Sequence, residues 1–265
     1  AEIYFLFSAM SYPFIALYNS GAALFRAIGN SKISMINSAV MNIINIILNA
    51  VFIFGFKWGV FGAVLATLIA RAVACCVILK MLGQRDLDIY VDDYFHWKFD
   101  LIYIKKILQI GIPSGLENGM FQFGKILVQS LIAAFGTYSI AANAVSNNLA
   151  QMQIIPGMAM SLAMVTVIGQ CVGADDYKQA KYYVKKLMKI TYISMAAIIV
   201  VLVLITPEIL NFYALSSRTK ELAYQCIFLH AFVAAVVWPL SFTFPNVLRA
   251  ANDAKFTMII SALSM

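Results

Sequence analysis

Long apolar runs alternate with short polar turns along this chain. The runs cover 3–28, 33–55, 59–82, 108–135, 140–170, 188–206 and 222–248, and a further one opens near Phe256. Most match the roughly 20 helical residues needed to cross a bilayer. Pro13 and Pro156 fall inside runs, and a membrane helix tolerates both as kinks. The pattern predicts an all-α fold, a polytopic transmembrane helical bundle.

One phrase is written twice. Arg26-Ala27, Lys32, Met35-Ile36 and Ser38-Ala39 recur at one constant offset as Arg249-Ala250, Lys255, Met258-Ile259 and Ser261-Ala262. Each copy is a basic turn between two apolar runs. The crossings between the copies begin near 33, 59, 108, 140, 188 and 222. An even number of crossings keeps both copies on one side, so the repeat is parallel, with two six-helix halves related by an axis along the membrane normal. Neither half is complete, and about seven to eight helices are present. The chain opens on Ala1 without an initiator Met and stops inside the run that begins near Phe256. A piece cut at both ends is the expectation.

Composition agrees with a membrane protein: 62% of the 265 residues are hydrophobic and 12% are charged. The net charge of +7 is therefore read loop by loop and not as a nucleic-acid footprint. Nearly all Lys and Arg outside the runs fall in the turns at 26–32, 80–106, 171–189 and 249–255. The opposite turns hold Lys57, Arg218 and Lys220. The positive-inside rule makes the first set cytoplasmic, in a bacterial-type plasma (inner) membrane. The stretch 83–107 carries Asp86, Asp88, Asp92, Asp93 and Asp100, then Leu101, Ile104, Ile107 and Leu108 beside Lys105-Lys106. It reads as a polar linker followed by an interfacial amphipathic helix capped near Asp100. Cys75, Cys76, Cys171 and Cys226 lie in or beside apolar runs without metal-ligand spacing. No metal site and no disulfide framework follows.

Several motifs carry a family resemblance. Gly111-Ile112-Pro113 opens the run after the linker. Ile155-Pro156-Gly157-Met158 precedes Val167-Ile168-Gly169-Gln170 and Gly173-Ala174, with a basic amphipathic stretch behind them. Leu248-Arg249-Ala250 with Lys255, and Arg26-Ala27 with Gly29 and Lys32, stand at matching turns. The chain resembles the multidrug and toxic compound extrusion (MATE) family, whose members have six plus six helices. The resemblance implies that 1–82 is the end of an N-terminal lobe (helices four to six). It makes 83–107 a cytoplasmic linker, and 108–265 a C-terminal lobe (helices seven to ten and the start of eleven). It implies a secondary antiporter that exports amphipathic organic cations by alternating access. H+ or Na+ is the coupling ion and there is no other cofactor. The implied partners are a small organic cation and the lipid bilayer, with no nucleic acid and a monomeric state. A flippase for lipid-linked precursors, of the same superfamily, is the alternative, and a channel or structural protein stands further off. No His-Glu-x-x-His, Gly-x-Ser-x-Gly or P-loop pattern points to an enzyme.

The candidate chemistry follows from charge in the runs. Glu117 is the only acid inside a predicted span, apart from Glu2 at the chain start. A charge in hydrocarbon costs several kcal/mol, about 3 on insertion scales, so such groups face a cavity or a partner. Glu117 reads either as the cation-coupling carboxylate or as an anion favoured by the amino end of the helix after Pro113. Some members of the family place a corresponding acid about one turn deeper, near the position of Phe121, and carry another in helix ten, where 222–248 has none. Lys125 lies two turns beyond Glu117 and reads either as a counter-ion that toggles with it in cation coupling or as a base that snorkels or pairs with another helix. Arg71 suits the organisation of carbonyls or a carboxylate more than proton carriage. Asn143, Asn147 and Gln151 repeat every four residues with Asn148 beside them. With Arg71, they are the candidate substrate-cavity residues. The stripe Ser34, Ser38, Asn42, Asn45 and Asn49, and the small face Gly111, Gly115 and Gly119, read as helix-packing features. His230 reads as a hydrogen-bonded structural residue.

Overall fold

A computed structural model describes residues 2–84, 90–91, 100–213 and 215–264. Every regular element in it is helical. The chain forms two compact units, Ala1–Lys98 and Phe99–Met265.

The first unit has three helices: α1 (Glu2–Ala27), α2 (Ser31–Ala50) with a π-helical extension over Val51–Gly55, and α3 (Gly59–Leu82). Helix α3 is the centre and packs on both others. Its Ala74, Ile78 and Leu82 meet Tyr18, Ala22 and Phe25 of α1 in a buried cluster. Gly21 lets the two helices approach closely there: a Cβ would stand 3.0 Å from Ile78 and 3.2 Å from Leu82. The polar stripe of α2 is partly turned inward, as its packing reading expects. Ser34 is buried and Asn45 Nδ2 donates to Thr67 Oγ1 at 3.3 Å; Asn37, outside the stripe, also turns inward and donates through Nδ2 to Ala74 O at 3.0 Å.

The second unit contains α4 (Leu101–Ala133), α5 (Thr137–Gly173), α6 (Tyr177–Phe212) and α7 (Ser217–Val236). A π turn at Pro239–Thr243, then α8 (Pro245–Ala250) and α9 (Ala254–Ser264), complete it. Helix α5 is central and packs on α6, α7 and α8, while α4 leans mainly on α9. Helices α7 and α8 bend by 56° around the π turn, where Pro239 and Pro245 withhold backbone donors. Trp238 at that bend packs so closely on Gly157 that any Cβ at 157 would collide with the indole.

The bundle answers to the hydropathy pattern. Ser31–Gly55, Gly59–Leu82, Thr137–Gly173 and Tyr177–Phe212 are each long and apolar enough to span, and the bent α7–α8 pair is a fifth when taken as one. Helices α1 and α4 have the length but are not among those spans. Two boundaries differ from expectation. Asp100 caps α4 by accepting the Ile102 N–H at 2.9 Å, and nothing breaks the helix before residue 108. The expected amphipathic segment is therefore the first turns of a helix that runs on to Ala133. Asp176 caps α6 through the Gln179 N–H at 2.9 Å, so Lys178, Lys181, Lys185, Lys186 and Lys189 ride on the same helix as the apolar run. The same helix extends to Phe212 and brings Glu208 inside it, so Glu117 is no longer the lone helical acid of its unit. The expectations at Arg85, Asp86, Asp88, Asp92, Asp93, Trp97 and Lys98 lie outside the described residues.

The repeated phrase has one geometry. Gly29 and Asn252 both take the left-handed conformation, at φ 81° and 64°. Around the first, Gly29 N donates to Arg26 O and Asn30 N to Phe25 O, both at 2.9 Å. Around the second, Asn252 N donates to Arg249 O at 3.0 Å and Asp253 N to Leu248 O at 2.8 Å. This is the Schellman closure, which satisfies the last carbonyls of a helix. A third copy closes α5 at Asp175, φ 56°, with Asp175 N on Val172 O and Asp176 N on Cys171 O. Asparagine tolerates this backbone and a β-branched residue does not. Asn252→Val is therefore expected to destabilise the protein by about 1–2 kcal/mol, whereas Asn252→Gly leaves stability unchanged or higher. Thermal unfolding in detergent checks this, and a Val variant as stable as the parent contradicts it.

Candidate functional site

The sequence candidates separate into three places. Lys125, Asn143, Asn147 and Gln151 come together in an open groove of about 1180 Å³ between α4 and α5. Helix α4 supplies one wall. It is mostly exposed, and only Pro113 on it is buried. A Cβ added at Gly111, Gly115 or Gly119 meets no described atom within 4 Å. The close packing expected of those glycines is thus not seen; Gly115 and Gly119 line the groove instead. Helix α5 supplies the other wall, and its four-residue spacing points Asn143, Asn147 and Gln151 the same way. Asn148, about 100° further round, is exposed but not part of the lining.

Two residues that the sequence reading passed over complete the amide wall. Gln122 and Gln129 line α4's side, and Asn143 Nδ2 donates to Gln129 Oε1 at 2.8 Å across the groove. Their spacing from Lys125, three residues before and four after, was the available signal. Lys125 Nζ lies over the Phe121 ring at 5.0 Å from its centroid. That ring meets Phe242 edge-on at 5.5 Å, and Phe242 stacks on Trp238 at 5.2 Å. The aromatic chain connects the groove to the α7–α8 bend.

Glu117 lies elsewhere. Its Oε2 accepts from Arg249 Nη2 at 2.6 Å, and its Oε1 from Ser261 Oγ at 2.9 Å. Arg249 also donates to Asn246 Oδ1 at 3.1 Å. One carboxylate thus ties α4 to both helices of the repeated turn. The pair is largely shielded, with side chains 13% and 23% exposed for Glu117 and Arg249. Lys125 does not serve as counter-ion: the carboxylate oxygens go to Arg249 and Ser261, while the ammonium takes the Phe121 face. Nothing local announces this pairing, because 132 residues separate Glu117 from Arg249. The usable signal was that a half with one deep acid and one base at the end of a run must satisfy both charges.

Arg71 belongs to the first unit. It lines a smaller cavity of about 230 Å³ with Tyr4, Ser8, Tyr12 and Thr67, and donates to Ser11 Oγ at 2.5 Å. His230 Nδ1 bonds Gln153 Oε1 at 2.7 Å, and Gln153 is fully buried. This agrees with the structural reading of His230.

Comparison with known proteins adds four findings. The MatE family model matches residues 113–265. The chain is 26% identical over 228 residues to the probable multidrug resistance protein YoeA of Bacillus subtilis, covering 84% of this chain and 49% of that protein. It is 30% identical over 192 residues to the multidrug export protein MepA of Staphylococcus haemolyticus, covering 72% and 41%. A crystal structure of MATE in complex with MaL6 superposes with a TM-score of 0.87 at 20% identity, over 98% of this chain and 58% of that one. The structural likeness establishes the fold. The chain spans about half the length of the curated relatives it matches.

A double-mutant cycle measures the ion pair. Glu117→Gln and Arg249→Gln each strand a shielded charge, so each is expected to lower stability by about 3 kcal/mol. The double variant loses less than the sum, by a coupling of about 1–3 kcal/mol. Additive losses in detergent unfolding would contradict the contact.

Proposed function

The chain belongs to the MatE family, and on that premise we propose that the whole protein is a secondary antiporter that exports amphipathic organic compounds. Alternating access moves the cargo, and an inward flow of H+ or Na+ drives it. The observation that carries this reading is the amide-lined groove between α4 and α5, open in a bundle whose other polar groups are mostly satisfied. It has the size of a drug-binding cavity. Its apolar lining with few polar groups suits a cargo that is mostly hydrocarbon. The organic-cation class implied by the resemblance is one such cargo.

Coupling in this reading runs through Glu117. A coupling cation and Arg249 compete for one carboxylate. When H+ or Na+ takes the carboxylate, the hold of α4 on α8 and α9 loosens, and α4 is also the groove's wall. Binding at the carboxylate thereby biases the shape of the cargo site, which is what coupling between two sites requires. Lys125 contributes to the groove and not to the carboxylate. The repeated turns and the 83–107 linker face the cytoplasm of a bacterial-type inner membrane, as the positive-inside count supports. The protein works as a monomer, with the lipid bilayer as its surroundings.

Inverted membrane vesicles test the reading. Wild-type protein is expected to accumulate a dye cargo against its own gradient only under an imposed H+ or Na+ gradient. Glu117→Gln is expected to lose gradient-driven transport by about tenfold or more while retaining gradient-independent exchange of labelled for unlabelled cargo. Gradient-driven transport at the wild-type rate in Glu117→Gln contradicts the coupling role.

A further inference from the structure

The first turns of α6 carry Lys178, Lys181, Lys185, Lys186 and Lys189, and every one is exposed. At 100° per residue these lysines and Tyr182 fall within about 140° of the helix circumference. Ile193, Val200 and Leu204, exposed apolar residues further along, lie within the same arc. The helix turns its other side to its own unit, where Met195 and Ile199 pack against Ala231 and Ala234 of α7. One outward face of α6 is thus basic over its first turns and apolar beyond them.

Helix length sets the depth of that change. The 36 residues of α6 rise about 54 Å, against a hydrocarbon core of about 30 Å. With the apolar run from Ile190 onward in the core, Lys185, Lys186 and Lys189 stand within about 8 Å of it, in the headgroup layer. Lys178 and Lys181 stand about 6–10 Å beyond Lys185, within about one Debye length at physiological salt. Tyr182 is 60% exposed; the Lys186 ammonium lies over its ring at 5.9 Å, and Tyr183 meets it edge-on at 5.5 Å. A ring with a polar tip suits the same layer. Of the acids beside the patch, Asp176 is held at the helix start by the Gln179 N–H, and Asp175 sits in the turn before it.

A water-soluble acidic partner would match the lysines alone. An acidic phospholipid matches the whole face. Its phosphate accepts from the ammonium groups, its glycerol level meets Tyr182, and its acyl chains lie along Ile193, Val200 and Leu204. A zwitterionic lipid carries its own cation beside the phosphate and gains less. We propose that this face of α6 docks acidic phospholipids, with their phosphates on Lys185, Lys186 and Lys189 and the outer two lysines adding longer-range attraction. Lipid docking on α6 is independent of the cargo and of the coupling ion.

Tryptophan quenching in the reconstituted whole protein tests it. Ile193→Trp places a reporter just below the lysines, read as the difference from protein without that substitution. The vesicles hold equal amounts of phosphatidylglycerol and phosphatidylcholine, with brominated acyl chains on one lipid or on the other. Brominated phosphatidylglycerol is expected to quench the reporter more strongly, by a local enrichment of about threefold or more. Raising the salt to about 0.5 M is expected to shrink that enrichment with every lysine in place. K178Q/K181Q/K185Q/K186Q/K189Q is expected to bring it to about one, whereas K178R/K181R/K185R/K186R/K189R retains it. Equal quenching by the two lipids with all five lysines present overturns the proposal. An enrichment unmoved by salt, or unmoved in a monodisperse Gln variant, does the same, and the salt arm decides alone if the Gln variant does not fold. Quenching by neither lipid also overturns it, because protein and not bilayer then covers the face.

Discussion

Hydrocarbon offers no hydrogen bonds, and the architecture follows from that constraint. Every backbone group must be satisfied inside its own helix, so the described elements are helices joined by tight turns. Side chains obey the same rule. Ser20, Thr67, Ser130, Ser146, Ser161, Thr191 and Thr206 each return a hydroxyl hydrogen to the carbonyl four residues back. The Schellman turns at Gly29, Asp175 and Asn252 close the carbonyls that helix ends would otherwise leave open. Most polar groups are thereby spent on structure, and the residues not absorbed in this way identify the chemistry.

The few charges in the membrane part of the second unit divide accordingly. Glu117 and Arg249 answer each other and, with Ser261, hold α4 to the repeated turn. Among the described residues, Lys125 meets the face of Phe121. One base is thus committed to architecture and the other faces open space, although both looked alike as basic residues in or beside an apolar run. The amides around Lys125 extend the contrast: Asn143 and Gln129 bridge the groove, whereas Asn118 is turned back onto its own helix at Ser114 O.

Much of the fold was legible because hydropathy and turn chemistry are local. The runs at 33–55 and 59–82 became helices with almost those limits, and the repeated Arg-Ala phrase marked two turns of one geometry. The misjudged boundaries also had local causes. The cap at Asp100 was expected, but the helix it opens runs on without a break into the apolar run; Asp176 sets a helix start that hydropathy alone does not register, because a cap is one hydrogen bond and an apolar run is twenty residues. The site was less legible. The four-residue spacing of Asn143, Asn147 and Gln151 gave one wall of the groove correctly. It could not supply Gln129, which approaches from another helix, or exclude Asn148, which differs only by helical angle. Glu117 was recognised as unusual, but Arg249 was not seen as its partner, since Lys125 is near in sequence and Arg249 is near only after α4 meets α8 and α9. The small face at Gly115 and Gly119 suggested packing, yet it opens the groove, because small residues make room equally for a helix or for a ligand.

Antiport is reciprocal: if an ion gradient moves cargo, a cargo gradient must move the ion. Whole protein reconstituted in vesicles with no initial H+ or Na+ gradient provides the most direct measurement, with a pH- or Na+-sensitive dye inside and cargo added outside. The account predicts an outward movement of H+ or Na+ that begins on cargo addition, scales with the cargo gradient, and is absent in protein-free vesicles. Cargo entry with no accompanying ion movement would contradict it.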